Sequence, residues 1–222
     1  RGGGVELELG NATFTNVTIA HNESTGTAAT DDAGGLYIGN SNATLQNTII
    51  FGNIDADNVD ADLYLSSFGN LVLEHSNIGN TTEPITGTSI SADPLFVAPE
   101  PAANAPTTLG DYQLGDGSPS VDAGDNGLVP TTITLDLNGD PRFVDDTGVA
   151  DTGAGTAPIV DMGAFEKQTD SAATGPILVT TASELSTADG ECSLLEAINN
   201  AETDSQTVTG AGECNAGSAP DT

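Results

Sequence analysis

The sequence predicts an all-β fold, a parallel β-helix, because of two observations. Segments of similar sequence recur roughly every 30 residues near the start of the chain, a spacing typical of solenoids. Within a segment the apolar residues alternate with polar ones, as at Val5, Leu7 and Leu9, and this period of two indicates short strands with one face turned inward. Short strands cannot bury a face alone, so the copies must stack to form a continuous apolar column.

The first two copies, residues 3–22 and 34–53, align without a gap, and a third at 61–80 follows with a slip in its middle. Residues of the same type coincide at Gly3/Gly34, Gly4/Gly35, Val5/Leu36, Leu7/Ile38, Asn11/Asn42, Ala12/Ala43, Thr13/Thr44, Phe14/Leu45, Asn16/Asn47, Ile19/Ile50 and Asn22/Asn53. The apolar positions of the third copy are Leu63, Leu65, Leu73 and Ile78. Each copy ends in an asparagine, at Asn22, Asn53 and Asn80. Because asparagine tolerates left-handed backbone and its amide can bond a neighbouring copy, we expect turns there and asparagine ladders through the stack.

The charge of the chain restricts its partners. It carries 33 Asp and Glu residues against 3 Lys and Arg residues, a formal net charge of −30, which repels nucleic acid and anionic lipid. A disordered acidic tail is excluded, because 36% of the residues are hydrophobic and follow an ordered pattern. The charge therefore indicates adaptation to high salt, which screens the repulsion, or to divalent cations that neutralise clustered carboxylates, or to both.

The two cysteines and the absence of long apolar runs favour an extracellular or cell-surface location. No apolar run approaches the length of a membrane span, and no basic segment resembles the start of a signal peptide. Cys192 and Cys214 are predicted to form a disulfide in an oxidising compartment, the alternative being two free buried thiols. Such a bridge closes a loop of about 20 residues and contributes about 3 kcal/mol.

Several motifs resemble a known class of secreted proteins. The repeated pattern of two glycines, alternating apolar residues and regularly placed asparagines resembles the coils of right-handed parallel β-helix proteins. GSPSVDAG at 117–124, DLNGDPR at 136–142 and DMGAFE at 161–166 resemble the closing segment of choice-of-anchor β-helix proteins. DGECSLLEAIN at 189–199 resembles the CSLREAI domain, with Leu195 where that domain has an arginine. The resemblance implies a right-handed parallel β-helix with an irregular closing lobe and a short cap element that contains a helix.

The predicted division of the chain follows from these motifs. The segments are β-helix coils at 1–96, a Pro/Ala linker at 97–108, the closing lobe at 109–168, a flexible joint at 169–176 and the opening or cap element at 177–222. In the family the opening element precedes the coils, so the order here is permuted. Two explanations stay open: a window from a tandem protein, or docking of the opening element on the first coil of the next molecule in a head-to-tail fibre. The assembly interface is then expected at Leu194, Leu195, Ile198, Val5 and Leu7.

No catalytic residue is predicted in this chain. A polysaccharide lyase needs a Lys or Arg beside the uronate, and none of Arg1, Arg142 and Lys167 lies inside the stacked coils. A glycosidase needs two carboxylates on a strand face, whereas the acidic residues here fall in loops. His21 and His75 are isolated in the sequence and are interpreted as turn or surface residues.

Calcium binding is the chemical hypothesis that the carboxylates favour. The segment 136–140 alternates oxygen ligands around a glycine, without the spaced glutamate of an EF-hand. The predicted ligands are Asp136, Asn138, Asp140, Asp145, Asp146 and Asp161, with Asp151 nearby in sequence and residues 55–62 a weaker candidate. The alternative, implied by the resemblance, is a partly buried ion pair of Arg142 with Asp122 or Asp161 that holds the cap.

Five sequons mark candidate glycosylation sites, namely Asn11, Asn16, Asn22, Asn42 and Asn80. The repeat itself explains part of this signal, since Asn11 and Asn42 are equivalent. Asn22 and Asn80 are predicted to be the best-placed acceptors, in outward loops.

Together these observations predict an extracellular structural protein, a repeat unit or subunit of a head-to-tail filament, stalk or adhesin, whose main partner is itself. One alternative is a glycan-binding adhesin, against which six Phe, three Tyr and no Trp argue. The other is a carbohydrate-active β-helix enzyme whose catalytic coils lie outside this chain.

Overall fold

The computed structural model describes residues 2–25, 33–56 and 61–168. These residues form strands with almost no helix, which confirms the all-β prediction. The strands are β1 (Val5–Thr15), β2 (Thr18–Ala20), β3 (Leu36–Gln46), β4 (Ile49–Phe51), β5 (Leu63–Leu65), β6 (Asn70–Glu74), β7 (Asn77–Ile78), β8 (Phe96–Ala98) and β9 (Asp111–Leu114). Two 3-10 turns, η1 (Ala102–Asn104) and η2 (Asn126–Leu128), follow β8 and β9. No helix in this part of the chain is long and apolar enough to cross a bilayer.

Two parallel sheets join the three sequence repeats. In the first sheet β3 is central, with β1 on one side and with β5 and β6 on the other. The second sheet has the order β2-β4-β7, again with every pair parallel. Val5 pairs with Leu36 and Leu36 with Leu63, so the alignment of the copies derived from the sequence is also the hydrogen-bonded register.

The apolar residues of the three copies meet in one core. Leu36, Ile38, Leu45, Ile50 and Ile78 are completely buried in it. Ile19, Ile50 and Ile78 occupy equivalent positions in successive strands of the second sheet. Val5, Leu7, Phe14 and Val17 of the first copy are only partly buried against the same cluster.

The paired glycines that open the first two repeats are required by close backbone packing. A Cβ on Gly34 would lie 2.2 Å from Ile54 O, and one on Gly35 would lie 2.3 Å from Asp62 O. Such distances are shorter than any carbon–oxygen contact, so only glycine lets neighbouring copies approach this closely.

The turns lie one residue earlier than the sequence predicts. Left-handed backbone was expected at the terminal asparagines Asn22, Asn53 and Asn80. In the first two copies it occurs one residue earlier, at His21 (φ 52°) and Gly52 (φ 71°), and Asn80 of the third copy does not have a positive φ. Asn16 and Asn47 also have positive φ, at the corner between the two sheets. The terminal asparagines are therefore freed from the turn and use their side chains between copies instead.

Beyond the repeats, the chain forms a hairpin and then an irregular lobe. β8 pairs antiparallel with β9, so the segment predicted as a linker at 97–108 contains the end of β8 and η1, with Ala102 buried. The residues after β9 pack on the second sheet through a second core cluster of Ile49, Leu114, Val121, Ala123 and Met162. The joint at 169–176 and the cap element at 177–222 lie outside the described residues.

Candidate functional site

One asparagine from each repeat fastens the closing lobe to the second sheet. Asn47 is completely buried; its Nδ2 donates to Asp125 O at 3.0 Å, and its Oδ1 accepts from Asp125 N at 2.8 Å. Asn77 Nδ2 donates to Ser120 Oγ at 2.9 Å, and Asn16 Nδ2 donates to Asp161 O at 3.3 Å. These three asparagines therefore place residues 120–125 and Asp161 side by side.

The predicted asparagine ladder exists, but its third rung is an aspartate. Asn22 donates its backbone and side-chain N–H groups to Asn53 Oδ1, both at 2.9 Å. Asn53 donates in the same way to Asp62 Oδ1, at 2.8 and 2.7 Å. Asn80, expected to be the third rung, instead donates its backbone N–H to Asp62 Oδ2 at 2.7 Å. A carboxylate suits this position because it accepts from two copies at once.

Asp122 is the residue around which the loop 145–153 folds. Its carbonyl oxygen accepts from Thr152 N at 2.9 Å and Gly153 N at 3.0 Å, while its Oδ2 accepts from Asp146 N at 3.2 Å. The side chain is completely buried, and its Oδ1 has no hydrogen-bond partner. Asp122 also has left-handed backbone, φ 49°, an arrangement that Asp tolerates better than most residues.

These contacts bring three carboxylates together. One oxygen each of Asp122, Asp145 and Asp151 lies within 4.8 Å of the other two. Asp145 and Asp151 are exposed, whereas Asp122 is buried behind them. Burial raises the pKa of Asp122 to about 6; the Asp146 N–H opposes this rise, and the charges of Asp151, Asp145 and Asp146 add to it. The raised pKa indicates that the negative charges of the cluster are not balanced by nearby positive charge.

A second buried group lies directly behind the cluster. Asp161 Oδ1 accepts from Asp122 N at 2.7 Å and its Oδ2 from Lys167 N at 2.6 Å. Glu166 Oε2 accepts from Asp161 N at 3.0 Å and its Oε1 from Val144 N at 3.1 Å. The buried carboxylates of Asp161 and Glu166 thus connect segments of the closing lobe by accepting hydrogen bonds from their backbone N–H groups.

The ion-pair partner of Arg142 differs from the prediction. Arg142 was expected to pair with Asp122 or Asp161, but the carboxylate at ion-pair distance is Glu166, whose Oε2 lies 3.8 Å from Nη1. The guanidinium also donates to Gly163 O at 3.1 Å and Ala164 O at 2.6 Å. Backbone amides donate to both oxygens of each carboxylate, so the difference lies in placement: Glu166, at the end of the DMGAFE segment, is the one that lies at ion-pair distance from the guanidinium.

Burial is the largest influence on the pKa values of Asp161, Glu166 and Arg142. It raises the pKa of Asp161 to about 7, against the Lys167 and Asp122 N–H groups, and a nearby Asp122 charge adds to the rise while Arg142 counters it. It raises the pKa of Glu166 to about 9, with the Asp161 charge acting in the same direction. Burial also lowers the pKa of Arg142, although Glu166, Asp136 and Asp161 counter it. One buried cation therefore faces two carboxyl groups that compete for a proton.

In the segment 136–140, predicted as a calcium loop, the Asp136 carboxylate accepts hydrogen bonds from backbone amides. Asp136 Oδ1 accepts from Asn138 N at 2.8 Å and Asp140 N at 2.9 Å, and its Oδ2 accepts from Glu166 N at 3.0 Å. The carboxylate thus closes its own turn and connects it to the closing motif. Of the six predicted ligands, Asp145 alone belongs to the three-carboxylate cluster; Asp136, Asn138, Asp140, Asp146 and Asp161 do not.

Asp122 was not among the ligands predicted from the sequence, where it was a candidate partner of Arg142. More than twenty residues separate Asp122 from Asp145 and Asp151. The available signal was the aspartate of GSPSVDAG preceding the acid-rich loop at 145–151, but sequence spacing does not reveal which loops meet.

The remaining predicted residues occupy varied positions. Among the sequons, Asn11 and Asn42 are exposed and joined by a 2.6 Å bond from Asn42 Nδ2 to Asn11 Oδ1, and Asn80 is also exposed. The Nδ2 groups of Asn16 and Asn22 are engaged in the bonds described above. Val5 and Leu7 lie on β1. Cys192, Cys214, Leu194, Leu195 and Ile198 lie outside the described residues, as do residues 57–60 of the weaker candidate loop.

No protein-family model, curated protein or solved structure matches this chain. The function is therefore inferred from the geometry of the chain itself.

Proposed function

We propose that the chain is a right-handed parallel β-helix and serves as an extracellular structural protein, a repeat unit or subunit of a head-to-tail fibre, stalk or adhesin. The observation that carries this proposal is the parallel register of the copies, in which β1 pairs with β3 over residues 31 apart in sequence. A stack of this kind grows by adding the next copy to an edge strand. The resemblance of the coils and closing motifs to secreted β-helix proteins supports the handedness and the setting.

The edge strand β1 differs from β3 chiefly because it is paired on one side only among the described residues. The two strands have equal lengths and similar sequences, and β3 is paired on both sides. Among the described residues β1 is paired only with β3. As a result Leu36 and Ile38 are completely buried, whereas their equivalents Val5 and Leu7 are partly exposed. A further coil laid on β1 would bury the first copy as β3 is buried now.

An apolar groove beside β1 adds to the surface available for this coil. It has a volume of about 740 Å³ and runs between Thr13, Thr15 and Val17 on one side and Ile133, Leu135 and Leu137 on the other. Those last three side chains are all exposed. A long edge strand flanked by exposed apolar residues is a site for edge-to-edge pairing. We assign it to another copy of this chain or the next unit of a tandem array.

The charge of the chain sets the conditions for assembly. Subunits of net charge −30 repel one another at low ionic strength. High salt shortens the range of this repulsion, and divalent cations neutralise carboxylates directly. Assembly is therefore expected in a salty, cation-rich extracellular medium.

Electron microscopy of the full chain tests the proposal, in high NaCl with calcium and again after chelation. Long filaments whose axial repeat matches one subunit are expected in the first condition. Leu9→Lys, which places a charge on β1 at a residue 79% exposed, should shorten or abolish them. Leu109→Lys is the matched control, since Leu109 is 67% exposed but lies between β8 and β9. Monomers under every condition, or equal effects of the two variants, would contradict the proposal.

A further inference from the structure

We propose that Asp122, Asp145 and Asp151 form a calcium-binding site on the closing lobe. The site is independent of the proposed assembly, because its three carboxylates belong to loops that fold on each other within one chain. It also differs from the loop at 136–140 that the sequence favoured. A buried oxygen without a partner, the local charge and the proximity of the three carboxylates support this site.

The first observation is the unsatisfied oxygen of Asp122. The side chain is completely buried, its Oδ2 is held by Asp146 N, and its Oδ1 has no hydrogen-bond partner. A buried polar atom without a partner is costly and uncommon in native proteins. Because Oδ1 belongs to a carboxylate gathered with two others, a cation is the partner that satisfies it at lowest cost.

The second observation is the balance of charge around the cluster. In the described part of the chain the Lys and Arg side chains are Arg142 and Lys167. Arg142 pairs with Glu166, and Lys167 Nζ lies 2.5 Å from Asp116 Oδ1 and 3.2 Å from Asp146 Oδ2. Neither pairs with Asp122, Asp145 or Asp151, so no basic side chain of the described residues neutralises the three carboxylates directly.

The arrangement of the three carboxylates suits calcium better than magnesium. Calcium binds oxygen at about 2.3–2.6 Å, so two ligands of one ion can lie up to about 5 Å apart, whereas magnesium at about 2.1 Å permits only about 4.2 Å. The three ligand atoms all lie within 4.8 Å of one another, which is inside the calcium limit. Calcium accepts irregular shells of oxygen ligands, whereas magnesium demands a near-ideal octahedron. Exposure of Asp145 and Asp151 leaves space for water to complete the six to eight ligands that calcium takes.

Binding would tie three parts of the closing lobe together. Asp122 contacts the buried Asp161 through its backbone N–H and holds Thr152 and Gly153 through its carbonyl oxygen. An ion between Asp122, Asp145 and Asp151 would fasten the loop 145–151 onto this centre. Calcium should therefore stabilise the folded chain in proportion to its occupancy.

Isothermal titration calorimetry with CaCl2, on the chelator-treated full chain at constant high NaCl, tests the site. One calcium per chain is expected, with a dissociation constant no weaker than about the millimolar range of extracellular modules. Asp151→Asn, at an exposed position, should weaken binding at least about tenfold while the calcium-free melting temperature stays unchanged. Asp122→Asn should weaken it further, since an Asn oxygen can still accept from Asp146 N but the negative charge is lost.

The matched control is Asp140→Asn, which removes the same charge from the loop at 136–140. It should leave the affinity within about twofold of the parent chain, because Asp140 lies outside the cluster. The proposal is overturned if the parent chain binds no calcium under these conditions. It is equally overturned if Asp140→Asn weakens binding as much as Asp151→Asn, which would indicate diffuse attraction to the acidic surface, or if magnesium binds more tightly than calcium.

Discussion

Glu166 Oε2 lies 3.8 Å from Arg142 Nη1, with 3% of the arginine side chain and none of the glutamate side chain exposed. This pair joins the DLNGDPR turn to the DMGAFE segment at the centre of the closing lobe. A contact buried to this degree is costly to break from one side, because the remaining polar group has neither its partner nor water around it.

Arg142→Met should destabilise the chain by about 3–5 kcal/mol, since it leaves Glu166 without its cation and removes two donors from Gly163 O and Ala164 O. Urea denaturation followed by circular dichroism measures this. Asp116→Asn, which breaks the exposed contact to Lys167, should change stability by less than about 1 kcal/mol. Equal losses in the two variants would mean that burial does not govern the energetics of these pairs.

The stability of the chain should fall as pH rises from acid to alkaline. Burial raises the pKa of Glu166 from its ordinary value of 4.5 to about 9, so the folded state binds this proton more tightly than the unfolded state. The resulting stabilisation is fully present below pH 4.5 and is lost as pH rises through 9. Arg142 and Asp161 face the group and titrate with it as one system.

Thermal melting at fixed high NaCl across this pH range checks the sign. The parent chain should melt at a higher temperature at mildly acidic pH than at alkaline pH. Glu166→Gln should flatten the slope, because it removes the titrating group while the charge of the rest of the surface is unchanged. A stability that rises with pH in the parent chain would show that the pair stays fully ionised.

Asn47→Ala should loosen the closing lobe from the second sheet. It leaves the backbone N–H of Asp125 without its partner, at a cost of about 1–3 kcal/mol, while the carbonyl oxygen of Asp125 keeps its bond from Leu128 N. Hydrogen exchange at residues 120–126 should rise in this variant. Asn42→Ala is the control, because its 2.6 Å bond to Asn11 is exposed and its loss should change stability by less than about 0.5 kcal/mol.

Gly35→Ala should destabilise the stack more than the equivalent Gly4→Ala. A Cβ at Gly35 meets the backbone oxygen of Asp62 at 2.3 Å, whereas one at Gly4 first meets Asn22 Nδ2, a side-chain atom, at 2.8 Å. Overpacking of this kind costs about 1–3 kcal/mol where the backbone cannot move. Chemical denaturation of both variants gives the comparison, and a larger loss for Gly4→Ala would contradict the packing described here.

The sequence predicts the register of the repeats well, because glycines, apolar residues and asparagines must all coincide when copies pair in parallel. It predicts the asparagine ladder but not its last rung, since Asp62 enters from a different part of the repeat than Asn53. The closing lobe is harder to predict. Asp122, Asp145 and Asp151 meet through turns without periodicity. Whether Arg142 pairs with Asp161 or Glu166 depends on where these turns place the two carboxylates, since backbone amides donate to both of them.

The contrast in burial between β1 and β3 makes the stability of an array depend on its number of copies. Each copy bonds only to its immediate neighbours, so an inner copy contributes the same stabilisation wherever it lies, and the exposed terminal strand is a fixed cost of the whole array. Doubling the number of copies therefore more than doubles the net stability. Short arrays are consequently the fragile ones, and lengthening should strengthen such a protein without any improvement in an individual contact.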